Sequence, residues 1–214
     1  MINGIIFDFD GVIADTELER FRIVRRILRG YGYELDKEDF IDFIGKRTAF
    51  FLRSRFDDMP ENVIKQVVSC HRAEQLNNPE EKKLIPGIQE LLIFLKLNGF
   101  KVAIATGSQR SIVKKVMDAN NLSGSVDTII SGEDFKNSKP NPECFKIALK
   151  RLGLNSKDVI IIEDSIPGVK AAKSIGCRAF ALSLYLMNGQ LSAADNVFKN
   201  HFEILEHLRK KLVS

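Results

Sequence analysis

INGIIFDFD, residues 2–10, is the stretch from which the fold class is inferred. It begins with an apolar run rich in β-branched side chains and ends in two acids, Asp8 and Asp10. Such a run predicts a strand at residues 2–9 that is buried on both faces, because a strand with one solvent-facing side would alternate apolar and polar residues. Strands of this kind are typical of parallel sheets that helices cover on both sides.

Downstream of this strand, the hydrophobic pattern divides the chain into two parts. Residues 16–78 carry apolar side chains at spacings of three and four, which is typical of helices. Later in the chain, predicted helices at 88–97, 111–119, 142–152, 169–175 and 202–212 alternate with predicted strands at 101–105, 128–130, 159–162 and 179–182. We therefore predict an α/β fold, a doubly wound (Rossmann-like) parallel-sheet core of residues 1–14 and 81–214, with an inserted all-helical domain at residues 15–80.

The composition excludes several classes of protein. With 214 residues, 44% of them apolar, the chain can bury a core, so a disordered tail is excluded. The net charge of +4 is too small to favour nucleic acid as a partner. Three scattered cysteines do not form a disulfide framework, and no segment has the roughly 20 apolar residues of a membrane span. We expect a cytoplasmic protein that has no signal peptide and binds neither nucleic acid nor membrane.

Polar residues follow the predicted strands at the sheet edge where ligands collect. They are Asp8 and Asp10 after the first strand, Thr106, Gly107 and Ser108 after the second, Lys139 in the loop after the third, and Glu163 and Asp164 after the fourth. Adjacent carboxylates repel unless a proton or a cation neutralises them, and hard oxygen ligands suit Mg²⁺. A phosphoryl group between that ion and Lys139 would have its charge balanced on both sides, with the Thr106 hydroxyl bonding its oxygens.

Four segments resemble the motifs of the haloacid dehalogenase superfamily. They are DFDGVIADTE at 8–17, ATGS at 105–108, KPNPECF at 139–145 and IEDSIPGVKAAKSIG at 162–176, in the family's order. The helical insertion after the first motif resembles the family's α-helical cap. The motifs are most similar to those of the branch that contains β-phosphoglucomutase and many sugar-phosphate phosphatases, and the resemblance covers nearly the whole chain.

The resemblance implies a role for each residue at the strand ends. Asp8 would be the nucleophile that forms an aspartyl phosphate, and Asp10 the general acid and base. Thr106, Gly107 and Lys139 would bind the phosphoryl oxygens. Mg²⁺ would be held by Asp8, the backbone carbonyl of Asp10, Asp164 and Glu163, the last either as a ligand or from behind the ligands.

Residues of the cap are expected to select the substrate. In the resembling branch, an arginine after the glycine at position 45 reaches the distal part of the substrate, which implies this role for Arg47. The mutase has a histidine in its first cap helix where this chain has Glu19 and Arg20, and the turn at Ser108 also differs from the mutase. Arg20 and Ser108 are therefore further candidates for substrate specificity.

Other conspicuous side chains are predicted to be structural. We expect Phe50, Phe51 and Phe56 to form the core of the cap. The three histidines, His71 among them, have no nearby partner in the sequence and are predicted to be surface or structural residues.

The leading interpretation is a Mg²⁺-dependent phosphatase, expected to be a monomer, that acts on a small phosphorylated metabolite such as a sugar phosphate. A phosphomutase remains an alternative, in which a sugar hydroxyl replaces water as the acceptor. A non-catalytic binding protein on the same fold is a further alternative.

Overall fold

The structure is a computed structural model that describes residues 2–75, 82–186 and 188–213. Strands alternate with helices over most of the chain, as the sequence predicted. The strands are β1 (Gly4–Phe7), β2 (Lys101–Ala105), β3 (Thr128–Ile130), β4 (Val159–Glu163), β5 (Arg178–Leu182) and β6 (Asn196–Phe198). The helices are α1 (Glu17–Arg29), α2 (Asp39–Phe43), α3 (Thr48–Arg55), α4 (Glu61–Gln75), α5 (Ile88–Leu97), α6 (Arg110–Ala119), α7 (Glu143–Leu152), α8 (Ile166–Ser174) and α9 (His201–Val213).

One sheet contains all of these strands in the order β3-β2-β1-β4-β5-β6, and every pairing is parallel. The order reverses at β1, which pairs with β2 on one side and β4 on the other. In sheets of this kind, ligands bind at the carboxyl ends of the strands beside the reversal. The predicted doubly wound α/β fold is confirmed, and its topology selects the ends of β1 and β4 as the site.

The sheet is buried on both faces. Ile5 and Phe7 of β1 point into a core that contains residues of α5, α6 and α9, whereas Ile6 points into a second core that contains residues of α7 and α8. This arrangement explains the unbroken apolar run in the sequence, since each face of β1 needs its own apolar side chains. β1 is shorter than the predicted strand at 2–9, because the carbonyl of Phe9 accepts hydrogen bonds from Ile13 and Ala14 in a turn.

The helices α1–α4 pack around a third apolar cluster. Phe21, Val24 and Leu28 of α1, spaced three and four residues apart, contribute to this cluster together with Phe43 and Phe51. Phe51 and Phe56 pack there, as predicted. The prediction for Phe50 was wrong, because its side chain is 46% exposed and lines a cavity.

The inserted helices contact the sheet core through a few close approaches. Gly45, with a φ of +71°, lies so near Ser165 that a Cβ there would come within 2.2 Å of the serine Cβ. The ring of Tyr185 stacks edge-on against Phe40 at 5.2 Å, and its hydroxyl bonds Asp15. The predicted boundary between residues 80 and 81 lies outside the described residues. In the described part of the chain, no helix is long and apolar enough to cross a membrane.

Candidate active site

The carboxyl ends of β1, β2 and β4 bring together the polar residues predicted from the sequence. Phe7 pairs with Ile104 of β2 and with Ile162 of β4, so the residues that follow these three meet at one edge of the sheet. The residues gathered there are Asp8, Asp10, Thr106, Lys139, Glu163 and Asp164, and all of them are buried. A cluster of this kind is stable only if its charges are paired with one another or with a ligand.

The turn after β1 requires glycine at position 11. Gly11 has a φ of +76°, in the left-handed region that side chains disfavour. A Cβ at this position would lie 1.9 Å from Oδ2 of Asp164. The glycine in the DFDG sequence therefore allows the β1 turn and the β4 carboxylate to approach each other.

Asp8 is paired with Lys139. The Lys139 ammonium donates to the Asp8 carboxylate at 2.7 Å, to Glu163 and to the carbonyl of Ala105 at 3.4 Å, and it lies over the ring of Phe145. Burial raises the pKa of Asp8 to about 8, with further upward contributions from Glu163 and Asp10, although the Lys139 charge opposes the rise. Burial lowers the pKa of Lys139, but the charges of Asp8 and Glu163 outweigh it and raise this pKa.

Asp10 has a different environment, rich in hydrogen-bond donors. It accepts from the hydroxyls of Thr16 and Ser108, both at 2.5 Å, and from that of Thr106 at 3.3 Å. Burial alone would raise the pKa of Asp10. The charge of Arg20 and the three hydroxyl donors outweigh burial and hold this pKa below its usual value.

Asp8, Glu163 and Asp164 form a buried acidic cluster in which one oxygen from each lies within 4.8 Å of the others. Both carboxylate oxygens of Asp164 are buried and have no hydrogen-bond partner among the described residues. Burial, with the charges of Glu17, Glu163 and Asp8, raises the pKa of Asp164 well above its usual value. This unpaired carboxylate in an all-oxygen cluster fits a hard divalent cation.

Both carboxylate oxygens of Glu163 accept hydrogen bonds from other groups of the chain. One oxygen accepts from Lys139, and the other accepts from the backbone N–H of Asp164, the backbone N–H of Ser165 and the Ser165 hydroxyl. Glu163 therefore orients Lys139 and fixes the turn after β4 in this structure.

The turn after β2 is organised by Thr106. The hydroxyl of Thr106 accepts from the backbone N–H of Ser108 at 3.0 Å, which is the local turn that threonine favours before a helix. Gly107 lies close to the helical insertion, since a Cβ there would lie 3.2 Å from Cγ of Arg47 and the arginine side chain would have to shift.

A cavity of about 600 Å³ lies between this cluster and the helical insertion. Asp8, Asp10, Thr106, Gly107, Ser108 and Lys139 line it together with Arg20 and Arg47. Seven Lys and Arg side chains line the cavity, against three Asp and Glu. The surplus of positive charge suits an anionic guest.

Arg20 and Arg47, the two arginines predicted to select the substrate, differ in how many of their guanidinium nitrogens form hydrogen bonds within the chain. Arg20 donates to Glu17 at 2.7 Å and to the carbonyl of Lys46 at 3.0 Å, so its terminal nitrogens are engaged. Arg47 stacks over the ring of Phe135 at 4.2 Å and donates to the carbonyl of Gly132 at 3.3 Å. Its Nε has no partner among the described residues.

Residues 5–182 match the family model of haloacid dehalogenase-like hydrolases. The chain belongs to this family. The hydrolase is 33% identical, over 99% of its length and 100% of the relative's, to the phosphorylated carbohydrates phosphatase of Thermotoga maritima. It is 29% identical to the phosphoglycolate phosphatase of Aquifex aeolicus, over 87% of this chain and 88% of the relative.

A solved structure gives the same result for the fold. The β-phosphoglucomutase from Clostridium difficile superposes on the hydrolase with a TM-score of 0.85 and 25% identity, and the match covers 100% of both chains. This member of the family is thus a phosphoric monoester hydrolase or a mutase. The alternative of a non-catalytic binding protein is set aside.

Three residues of the hydrolase's site were missed by the sequence interpretation. Thr16 and Glu17 end the first motif, and their closeness in sequence to Asp8 and Asp10 could have indicated a place in the site. Burial raises the pKa of Glu17 to about 7, although the charge of Arg20 opposes the rise. His71, predicted to be a surface or structural residue, is buried and lines the cavity. It is distant in the sequence from every motif, so no local pattern identified it.

Proposed function

We propose that this hydrolase is a Mg²⁺-dependent phosphatase that releases phosphate from a small sugar phosphate through an aspartyl phosphate on Asp8. The observation that carries the proposal is the Asp164 carboxylate, buried without a partner beside Asp8. Burying a carboxyl group costs free energy if it is ionised, unless a cation neutralises its charge. The name of the Thermotoga relative, a phosphatase of phosphorylated carbohydrates, supports the substrate class.

Asp8, Asp164 and the backbone carbonyl of Asp10 would hold the Mg²⁺ ion. The ion would supply positive charge that offsets the carboxylates and polarises a phosphoryl oxygen. Glu163 would not bind the ion directly, because both of its oxygens accept hydrogen bonds from other groups. It would hold Lys139 in position for the phosphoryl group.

In the first half of the reaction, Lys139, the Thr106 hydroxyl and the backbone of Gly107 hold the phosphoryl oxygens. A carboxylate oxygen of Asp8 attacks phosphorus, the bond to the leaving oxygen breaks, and Asp10 donates its proton to that oxygen. Asp10 is ionised in the environment described above. The negative charge of an incoming phosphoryl group raises its pKa, so substrate binding prepares the acid.

In the second half, water attacks the phosphorus of the aspartyl phosphate. Asp10, now a carboxylate, accepts a proton from this water, and the bond to Asp8 breaks to release phosphate. Ser108 and Thr16, at 2.5 Å, keep Asp10 in one orientation for both proton transfers.

A phosphomutase is the second candidate, and the similarity to the solved β-phosphoglucomutase structure favours it. The same first half-reaction would be followed by attack of a sugar hydroxyl on the phosphorus. The two reactions differ in product, because only the phosphatase releases inorganic phosphate in step with substrate loss.

The helical residues 15–80 are proposed to act as a cap that selects the substrate, over a core of residues 1–14 and 81–214. Arg47, Arg20 and Ser108 all line the cavity, which supports this assignment. Of the two arginines, Arg47 is the better candidate for contact with the substrate, since Arg20 is committed to Glu17. A monomeric state and a cytoplasmic location remain predictions.

The test is a phosphate-release assay with glucose 6-phosphate, fructose 6-phosphate, ribose 5-phosphate, glucose 1-phosphate and phosphoglycolate. We expect release from at least one sugar phosphate in Mg²⁺ and none in a chelator. Isomerisation of glucose 1-phosphate without release of phosphate would instead establish the mutase. Undiminished activity in the chelator would contradict the metal site.

A further inference from the structure

His71 is a buried histidine on the wall of the active-site cavity. It lies in α4, is 4% exposed and lines the cavity that also contains Asp8 and Asp10. No step of the proposed reaction uses it. A buried polar side chain at a substrate cavity needs a partner, because leaving its hydrogen bond unmade costs free energy.

One nitrogen of His71 has a partner and the other has none. Nδ1 lies 3.4 Å from the hydroxyl of Thr48, the first residue of α3, which also lines the cavity. Nε2 is buried and has no hydrogen-bond partner among the described residues. His201 also has a buried ring nitrogen, Nδ1, with no partner among the described residues, while its Nε2 lies 2.7 Å from the carbonyl of Val12. His201 does not line the cavity, so it is the position of His71 on the cavity wall that distinguishes the two histidines.

His71 is held in its neutral form. Burial, followed by the charge of Arg20, lowers its pKa to about 3; Arg72 and Lys82 also lower it, and Asp10 opposes them. A neutral imidazole has one donor and one acceptor nitrogen, and the Thr48 hydroxyl can pair with Nδ1 in either role. In either tautomer the free Nε2 can pair with a hydroxyl group, which both donates and accepts.

We propose that Nε2 of His71, oriented by Thr48, forms a hydrogen bond with a hydroxyl group on the carbon skeleton of the substrate. The inference rests on the proposed phosphatase function and narrows its substrate class to polyhydroxylated phosphate esters. The neutral ring contributes no charge to binding an acid, so the anionic groups are left to the arginines and lysines of the cavity. Phosphoglycolate, which carries a carboxylate and no hydroxyl, is the substrate that this site would disfavour.

Two substitutions at position 71 separate the two nitrogens. The amide of His71→Asn reaches the position of Nδ1 and keeps the contact with Thr48, whereas that of His71→Gln extends to the position of Nε2. The readout is the kcat/KM for the preferred sugar phosphate of the panel divided by that for 4-nitrophenyl phosphate, which has no hydroxyl. Cys70→Ser, an exposed position adjacent on α4, is the matched control.

We expect His71→Asn to lower this ratio by about tenfold to a hundredfold, because a site built for a hydroxyl loses its bond. His71→Gln should recover most of the ratio, Thr48→Val should lower it about threefold to tenfold through loss of orientation, and Cys70→Ser should leave it unchanged. The wild-type enzyme should also discriminate by about tenfold or more against at least one monodeoxy analogue of the same sugar phosphate, which tests the proposal without a variant.

Results that contradict the role of His71 differ from those that contradict the phosphatase function. Equal ratios for wild type, His71→Asn and His71→Gln, or equal kcat/KM for the sugar phosphate and all its monodeoxy analogues, would overturn hydroxyl recognition. A wild-type preference for phosphoglycolate over every sugar phosphate would do the same and leave a Mg²⁺-dependent phosphatase standing. Failure to hydrolyse any of these esters, 4-nitrophenyl phosphate included, would remove the proposed function itself.

Discussion

At the scale of single residues, the site places two carboxylates in opposite environments. Burial raises the pKa of Asp8 to about 8, whereas Asp10 is held below its usual value against burial by Arg20 and three hydroxyl donors. These directions are opposite to the forms that the proposed attack and proton donation require, so a cation beside Asp8 and a phosphoryl anion beside Asp10 would have to shift both pKa values back. Within the chain, Lys139 favours the carboxylate form that Asp8 needs for attack.

The general-acid role of Asp10 predicts that the effect of Asp10→Asn depends on the leaving group. Loss of the proton donor should lower kcat for an alkyl phosphate such as a sugar phosphate by about 10²–10⁴-fold. Formation of the aspartyl phosphate from 4-nitrophenyl phosphate should be less affected, because its leaving group needs no proton. Burst kinetics with both substrates measure this step, and equal losses would count against the role.

Asp164 and Glu163, although adjacent, should respond differently to amide substitution. Asp164→Asn should raise the Mg²⁺ concentration for half-maximal activity by about tenfold or more, because it removes a ligand charge. Glu163→Gln should mainly lower kcat, since its carboxylate holds Lys139 and the turn after β4. Magnesium titrations of the two variants measure this difference. A larger rise in the magnesium requirement for Glu163→Gln would make that residue the ligand.

At the scale of elements, Arg47 makes one of the contacts between the proposed cap and the core. Its guanidinium stacks on Phe135 and bonds the carbonyl of Gly132. Arg47→Ala should lower kcat/KM for the preferred sugar phosphate about tenfold to a hundredfold more than for 4-nitrophenyl phosphate, because only the larger substrate would lose a charge-assisted contact at its distal end. Arg55→Ala, at an exposed position of α3, is the control for general effects on the cap.

A proportional loss on both substrates would contradict this division, since it would mean that Arg47 serves the chemistry or the folding of the cap. Arg47→Lys should not restore the wild-type ratio, because an ammonium cannot stack as a planar guanidinium does.

The strands and helices that could be predicted were those with a strong local pattern. β1 and β4 are apolar runs that end in acids, and the helices of the core were predicted with ends displaced by at most a few residues. β6 was not predicted, since three residues, Asn196–Phe198, carry no periodicity of their own and pair only because β5 offers an edge.

At the scale of the whole molecule, the site combines residues from the ends of strands with residues of the inserted helices. The strand-end residues were predictable because parallel topology forces those ends together. The prediction for Phe50 was wrong, and the place of His71 on the cavity wall was not predicted. Both depend on how α3 and α4 pack over the core, which no local pattern encodes.

The buried His201 predicts how stability depends on pH. Burial lowers its pKa to about 4, although the bond to Val12 opposes this. Between pH 6.5 and 4 the unfolded chain therefore binds the proton more readily, so the contribution of His201 is complete above pH 6.5 and is lost as the pH falls. The contribution of His201 to the free energy of unfolding should fall by about 2 kcal/mol between pH 7 and pH 5. The raised pKa values of Asp8 and Glu17 change the stability of the whole protein in the opposite direction over this range, so the His201 contribution has to be measured as a difference.

Urea unfolding of the wild type and of His201→Gln, without Mg²⁺ at these two pH values, isolates this contribution. His201→Gln, which keeps a donor for Val12 but does not titrate, should lose about 2 kcal/mol less than the wild type. An identical pH dependence in both proteins would show that this histidine does not limit stability in acid.

The most direct measurement of the central claim is the mass of the Asp8 peptide after reaction. Asp10→Asn protein with 4-nitrophenyl phosphate and Mg²⁺ should form the aspartyl phosphate, because this leaving group needs no proton, and release it slowly, because the base for water is absent. After an acid quench, we predict one added phosphoryl group on the peptide that contains Asp8 and none in Asp8→Asn protein. Turnover of Asp8→Asn at the wild-type rate, with no phosphorylated Asp8 in the Asp10→Asn protein, would contradict the account.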